Sequence, residues 1–310
     1  MKTAIIFPGQ GSQSMGMLGE LAQEHPGVEQ TFSEASDALG FDLWTLVQSG
    51  PEAELNATAN TQPALLAAGV AVWRVWQHQG GAEPAYMAGH SLGEYTALVC
   101  AGALGFEDAI RLVADRGRFM QEAVPPGEGA MAAVLGLSDD QVRTVCAEAT
   151  GDGDEVVSAA NFNSPGQVVI AGSAVAVDSA IGLAKAAGAK RAVKLSVSVP
   201  SHCALMRPAA QRLEERLADI EVCAPAIPVI HNVDLESHRN PDDIRTALVA
   251  QLYESVQWSG TVRLLGTHGV AKLIEAGPGK VLSGLTRRID RGLTGLPVYD
   301  PGTLAAALAA

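Results

Sequence analysis

Residues 89–93 read Gly-His-Ser-Leu-Gly, a G-x-S-x-G pentapeptide set between the short apolar run Tyr86-Met87-Ala88 and the apolar stretch Leu92 to Leu104. This arrangement constrains the fold more than any other part of the chain. It calls for a strand that turns sharply into a helix. The serine hydroxyl is then exposed at the helix N-terminus, and glycines on both flanks let neighbouring backbone approach without Cβ clashes. Ser91 is therefore a candidate nucleophile. On the pentapeptide alone, a helix N-cap serine between two turn glycines is an equal reading.

Strand-like runs at Thr3 to Phe7, Ala85 to Ala88, Ile227 to Val233 and Lys272 to Glu275 alternate with helical patterns such as Thr61 to Gln77 and Phe106 to Ala123. Such alternation predicts an α/β core with a mostly parallel sheet. Between Ala130 and Ser196 the order changes. Strands are expected at Ala130 to Gly136, Glu155 to Asn161, Gln167 to Ala171 and Arg191 to Ser196, with helices at Ser138 to Ala149 and Ala174 to Ala187. The sequence β-α-β-β-α-β is the ferredoxin-like arrangement, with Asn163-Ser164-Pro165-Gly166 as its central turn. An inserted subdomain at 130–197 inside a discontinuous core of 1–129 and 198–310 accounts for both grammars. The proline- and glycine-rich segments Pro125 to Gly129 and Val199 to Ser201 mark the crossings.

The chain has 310 residues, 47% of them hydrophobic, enough for a large core in one domain or two closely packed ones. Its net charge of −13 would repel a nucleic-acid backbone or an anionic membrane, so neither is an expected partner. An acidic protein partner would need a local basic patch, and Lys190-Arg191 with Lys194 is the best candidate. The run Thr3 to Phe7 ends at Pro8-Gly9 and is too brief for an export signal. No apolar stretch approaches the roughly 18 residues of a membrane span. A soluble, cytoplasmic protein is expected. Cys100, Cys146, Cys203 and Cys223 form no CxxC pair and read as reduced packing residues, and no His/Cys cluster suggests a metal.

A serine hydroxyl needs an adjacent base, and histidine titrates nearest neutral pH. His25, His78, His238 and His268 sit in polar or turn segments and read as solvated, while His231 falls in a strand-like run and reads as a hydrogen-bonded core residue. His90 adjoins Ser91 but should point elsewhere, to a supporting or substrate contact. His202 follows Val199-Pro200-Ser201, where the insertion would rejoin the core and loops of both parts could form a cleft. It is a candidate base, with a helix-capping role as the alternative. Phe7-Pro8-Gly9-Gln10-Gly11-Ser12-Gln13 can present backbone N–H groups in oxyanion-hole fashion. As a Rossmann loop it fails, since Ser14 takes the third glycine position. Gly277-Pro278-Gly279-Lys280 fails as a Walker A loop, with Ile274 and Val281 at required positions.

These segments together resemble the malonyl-CoA:acyl-carrier-protein transacylase family of bacterial type II fatty-acid synthesis, from Phe7 to about Ile289. The motifs are FPGQGSQ (Phe7 to Gln13), NTQPAL (Asn60 to Leu65), GHSLGEY (Gly89 to Tyr95), RGRFMQEA (Arg116 to Ala123), NFNSPGQ (Asn161 to Gln167), GAKR (Gly188 to Arg191), VPSHCALM (Val199 to Met206), QLY followed by QW (Gln251 to Trp258) and EAGPGKVLSGL (Glu275 to Leu285). The resemblance implies a hydrolase-like α/β core with a ferredoxin-like insertion.

It also implies roles. Ser91 matches the acylated serine, His202 its base, Gln251 the residue whose main-chain carbonyl orients that histidine, and Gln10 with Leu92 the oxyanion N–H donors. Arg116 matches the arginine that holds the malonyl carboxylate; from its neighbours Asp115 and Arg118 alone it would pass for a solvated salt-bridge residue. Gln62 and His90 are further pocket contacts. Asn161, Asn163, Gln167, Lys190 and Arg191 match positions lining the coenzyme A and phosphopantetheine channel. The implied partners are malonyl-CoA and acyl carrier protein, with no cofactor beyond the coenzyme A thioester as substrate. Two relatives sharing the dyad, a trans-acting polyketide acyltransferase and the malonyl transferase of a malonate decarboxylase, stay open, as does a carrier-binding module without catalysis, which the intact Ser91, His202 and Arg116 oppose.

Overall fold

The computed structural model describes residues 2–150, 155–195 and 199–310. Its larger sheet is parallel throughout, in the order β7-β2-β1-β8-β9, with β1 at Lys2–Phe7, β2 at Tyr86–Gly89, β7 at Val229–Ile230, β8 at Val270–Ala276 and β9 at Thr294–Val298. Ala4, Ile5, Ile6 and Phe7 of β1 are all fully buried, because a central parallel strand is covered on both faces. Ile5 and Phe7 pack with the helices Thr58–His78 and Phe106–Ala123, whereas Ala4 and Ile6 face Trp258, Val262 and Leu285 on the opposite side. Two helical layers thus enclose the sheet, as the alternating strand and helix runs predict.

The second sheet is antiparallel, in the order β4-β5-β3-β6, built from β3 (Gly129–Leu135), β4 (Val157–Ser164), β5 (Gln167–Ser173) and β6 (Arg191–Lys194). With the helices Asp139–Thr150 and Ala174–Ala186 it realises the expected β-α-β-β-α-β order. Alternation along its strands divides the work. Ala130, Ala132, Val134, Val168 and Ile170 pack under the two helices, while Met131, Val169 and Ala171 meet Cys203 on the other face. The second face therefore packs against the chain that follows the insertion. Backbone bonds from Phe162 N–H to the Val256 carbonyl (3.0 Å) and from Val256 N–H to the Ala160 carbonyl (2.8 Å) tie β4 to the segment before the helix Trp258–Thr267, where Val256 packs with Ala4, Ile6 and Ala88 of the larger sheet.

Several expectations shift. The central turn contracts to Pro165-Gly166, because Asn163 and Ser164 extend β4 and Ser164 pairs with Gln167. Of the run Ile227 to Val233 only Val229–Ile230 is strand; His231 and Asn232 leave the ladder and turn their side chains into the protein. The strand β9 escapes the sequence pattern, since Gly295 and Pro297 interrupt it, but an edge strand tolerates proline. Cys146 and Cys203 are buried as expected; Cys223 is exposed because its neighbour Val222 takes the inward position. The expected boundary between 197 and 198, and Ser196 at the end of the last expected strand, lie outside the described residues. Among the described residues no helix is long and apolar enough to cross a membrane.

Candidate active site

The elbow forms where β2 ends. Ser91 takes φ 51° and ψ −109°, a left-handed conformation that costs a non-glycine residue about 1–3 kcal/mol and survives only where its surroundings enforce it. Here the enforcement is steric and polar. A Cβ on Gly93 would lie 2.1 Å from the Phe7 carbonyl oxygen, and one on Gly89 would lie 1.8 Å from the Gly93 carbonyl carbon, so only glycine permits the turn to pack against β1. The Ser91 N–H donates to Asn232 Oδ1 (2.7 Å), and Asn232 Nδ2 donates to the Gly89 carbonyl (2.7 Å), which clamps both sides of the turn. Neither contact was legible beforehand. The only local signal was a polar pair, His231-Asn232, at the end of an apolar run.

His202 arrives from the loop after the described end of the insertion and also adopts a left-handed φ of 62°. Its Nε2 stands 2.8 Å from Ser91 Oγ, and its Nδ1 stands 2.7 Å from the main-chain oxygen of Gln251. A carbonyl can only accept, so Nδ1 carries the proton and Nε2 offers its lone pair to the serine hydroxyl. Burial, followed by the positive charge of Arg116, pulls the His202 pKa down to about 3. The imidazole is neutral near pH 7, ready to take a proton rather than already holding one.

Arg116, 1% exposed, turns inward from its helix. Its neighbour Asp115 is satisfied by Arg118 (2.8 Å) and Arg216 (3.1 Å), so the surface ion pair expected for such a segment forms without it. The guanidinium donates to Gln62 Oε1 (2.8 Å), to Gln251 Oε1 (3.0 Å) and, at 3.4 Å, towards Ser91 Oγ, with the Tyr95 ring 5.3 Å beneath it. Among the described residues it pairs with no carboxylate, and the cation is left for a bound anion.

Ser91, His202 and Arg116 border a cavity of about 190 Å³, smaller than the roughly 300–1,000 Å³ of sites for drug-sized ligands, and so suited to a short acyl group. Gln10, Leu92, Gln62, His90, Asn161 and Asn163 line it too, together with Thr58, Met120, Met131 and Val169, which sequence reasoning did not single out. Among the described residues the N–H groups of Gln10 and Leu92 meet no protein acceptor, as an oxyanion pair requires. His90 Nε2 lies 2.8 Å from Asn163 Oδ1, linking the elbow to the hairpin of the smaller sheet. Gln10, His90 and Asn163 also line an adjoining groove of about 200 Å³ with Gln167, Val281 and Leu285. Gln167 there accepts from Arg288 (3.2 Å). Lys190 and Arg191 line neither space; both are exposed at the end of the smaller sheet where Arg191 and Gln167 flank Leu135. Among the described residues no three His, Cys, Asp or Glu side chains gather as metal ligands would.

Residues 4–286 match the acyl transferase domain family. A malonyl CoA-acyl carrier protein transacylase of Escherichia coli is 60% identical over 98% of this chain and 98% of its own length, and that of Bacillus subtilis is 46% identical over 99% and 96%. Among solved structures, a malonyl-transacylase in complex with its type II polyketide acyl-carrier protein superimposes with a TM-score of 0.98 at 56% identity, covering 100% of this chain and 99% of that one. An acyl carrier protein S-malonyltransferase from Vibrio cholerae gives 0.97 at 58%, covering 99% of each.

Proposed function

Because the chain belongs to the malonyl-CoA:acyl carrier protein transacylase family, we propose that it moves a malonyl group from coenzyme A to the phosphopantetheine thiol of acyl carrier protein through a malonyl ester on Ser91. It is an acyltransferase, and its product supplies extender units for fatty-acid synthesis. The observation that carries the mechanism is the line from Ser91 Oγ to His202 Nε2 to the Gln251 carbonyl, with the Arg116 cation beside the hydroxyl.

His202 Nε2 takes the proton as Ser91 Oγ attacks the thioester carbonyl, and the N–H groups of Gln10 and Leu92 receive the oxyanion. The intermediate collapses, the coenzyme A thiolate leaves, and His202 returns the proton to it. The carrier thiol then enters, gives its proton to His202, attacks the malonyl ester and restores Ser91. Arg116 grips the free carboxylate through its planar fork, which holds the acyl group and prefers malonyl over acetyl. Chemistry belongs to 1–129 with 198–310, and residues 130–197 supply the far wall of the cleft. Asn161, Asn163 and Gln167 border the path of the pantetheine arm, while Lys190 and Arg191 offer charge to the acidic carrier. No cofactor enters the scheme, and a cytoplasmic location suits its substrates.

Intact-mass measurement after incubation with malonyl-CoA tests the reading. A single malonyl adduct that is discharged by acyl carrier protein is expected; release of free malonate without an adduct would make the chain a hydrolase. The polyketide carrier bound by the structural relative favours one second reading, loading of such a carrier. Comparing discharge rates with fatty-acid and polyketide carriers separates the two.

A further inference from the structure

One buried carboxylate beneath the elbow takes no part in the chemistry above. Glu94 lies in the first turn of the helix Leu92–Cys100 and is fully buried. It accepts three hydrogen bonds: from His231 Nδ1 (2.7 Å), from the Asn232 N–H (2.9 Å) and from Gln251 Nε2 (2.9 Å). Burial pulls the His231 pKa down, but the charge and hydrogen bond of Glu94, with Asp234, outweigh it and leave the value raised. The structural explanation is complete in itself, since three donors satisfy a buried carboxylate and tie the elbow helix to β7.

Gln251 gives the contact a further consequence. Its side-chain oxygen and nitrogen have nearly the same shape, so partners decide which way the amide points. A carboxylate only accepts; Nε2 therefore faces Glu94 and donates also to the Ser91 carbonyl (3.0 Å). Oε1 is thereby turned to Arg116 (3.0 Å), while the main-chain oxygen of the same residue accepts from His202 Nδ1 (2.7 Å). The negative charge of Glu94 reaches Arg116 only through an intervening amide. A carboxylate in direct contact would compete with a substrate carboxylate; one held an amide away orients the guanidinium and leaves it unoccupied.

Building on the transferase reading, we propose that Glu94 is a positioning residue for specificity: it fixes the Gln251 amide, and through that amide the direction of the Arg116 fork and the preference for an acyl group bearing a free carboxylate. Glu94→Gln keeps an acceptor oxygen for Gln251 and Asn232, and His231 can meet the new amide as the other neutral tautomer. Glu94→Met removes one of the two acceptors that hold Gln251 Nε2 and leaves the Ser91 carbonyl alone to keep the amide from turning its NH2 against Arg116.

The test measures kcat/KM with malonyl-CoA and with acetyl-CoA for the full-length parent and both variants, alongside their melting temperatures. Glu94→Gln should keep the malonyl-to-acetyl ratio of the parent. Glu94→Met should lower it by at least about tenfold, the scale of one lost buried hydrogen bond to a charged group. A purely structural carboxylate would depress both substrates by one factor, and that outcome overturns the proposal. If Glu94→Met does not fold, Gln251→Met decides: it keeps the main-chain carbonyl for His202 but deletes the relay, so an unchanged ratio there overturns the proposal equally. A parent that forms no adduct on Ser91 defeats the transferase reading itself, whereas a parent with a strong malonyl preference and variants that share it defeats only the role of Glu94.

Discussion

Replacing Arg116 by alanine separates binding from chemistry at this site. In the resting protein the change strips the donors from two amide oxygens, those of Gln62 (1% exposed) and Gln251 (fully buried). An unsatisfied buried acceptor costs about 1–3 kcal/mol, and the adjoining cavity lets water replace part of each bond, so the stability loss should fall near the lower end, about 2 kcal/mol in all. The kinetic effect is larger and selective. A malonate carboxylate left in this cleft without a cation loses on the order of 2–5 kcal/mol, the range for truncating one member of a buried charge pair, whereas an acetyl methyl loses nothing comparable. At about 1.4 kcal/mol per factor of ten, the kcat/KM ratio of malonyl-CoA to acetyl-CoA should drop roughly 30- to several-thousand-fold. Transfer to purified carrier protein, followed below the variant's melting temperature with each donor, gives that ratio. Equal losses for both donors, or an undiminished malonyl preference, would show that the carboxylate is held elsewhere.

Ser91→Ala should fold and bind but carry no malonyl adduct by intact mass, and an adduct on that variant would relocate the nucleophile. Because His202 titrates at about 3, the rate of Ser91 acylation should stay flat from pH 7.5 down to about 5; a fall centred near 6.5 would contradict a buried, neutral base. The same shift has a stability consequence. Below pH 6.5 the unfolded chain protonates this histidine and the folded one does not until about pH 3, so its contribution to stability shrinks as pH falls through that window, measurable by denaturant titration. Gly93→Ala sets a methyl 2.1 Å from the Phe7 carbonyl oxygen and should abolish soluble folded protein, and a well-folded, active variant would mean that the elbow can widen. Lys190→Glu combined with Arg191→Glu alters two exposed side chains outside the cleft; acylation by malonyl-CoA should be unchanged while discharge by acyl carrier protein slows, with a defect that shrinks as salt rises. A salt-independent defect would point to damaged packing of the smaller sheet.

Much of this protein is written locally. The glycines at 89 and 93 and the apolar runs around them specify the elbow, because turn chemistry and close backbone approach depend on residue type at neighbouring positions. The β-α-β-β-α-β order of the insertion is equally legible, since strand and helix periods can be counted along the chain. Strand ends are less legible, because pairing partners decide them: Asn163 and Ser164 read as turn residues but extend β4, and His231 and Asn232 read as strand residues but lie beyond β7.

The side-chain constellation was settled by tertiary structure. Ser91 and His202 are 111 residues apart, Arg116 and Gln251 are 135 apart, and Asn232 reaches Gly89 across 143. Nothing in the sequence near His202 distinguishes a base from a helix cap, and Arg116 among Asp115 and Arg118 has the pattern of a surface ion pair. Glu94 did leave a trace, a lone carboxylate in an apolar helix, but its partners could not be named. The order β7-β2-β1-β8-β9 brings the ends of β2 and β7 together, and that order is a matter of tertiary pairing. Residue type set what each side chain could do; the packing of distant segments decided which of them meet, because burial is a property of the assembled core and has no local code.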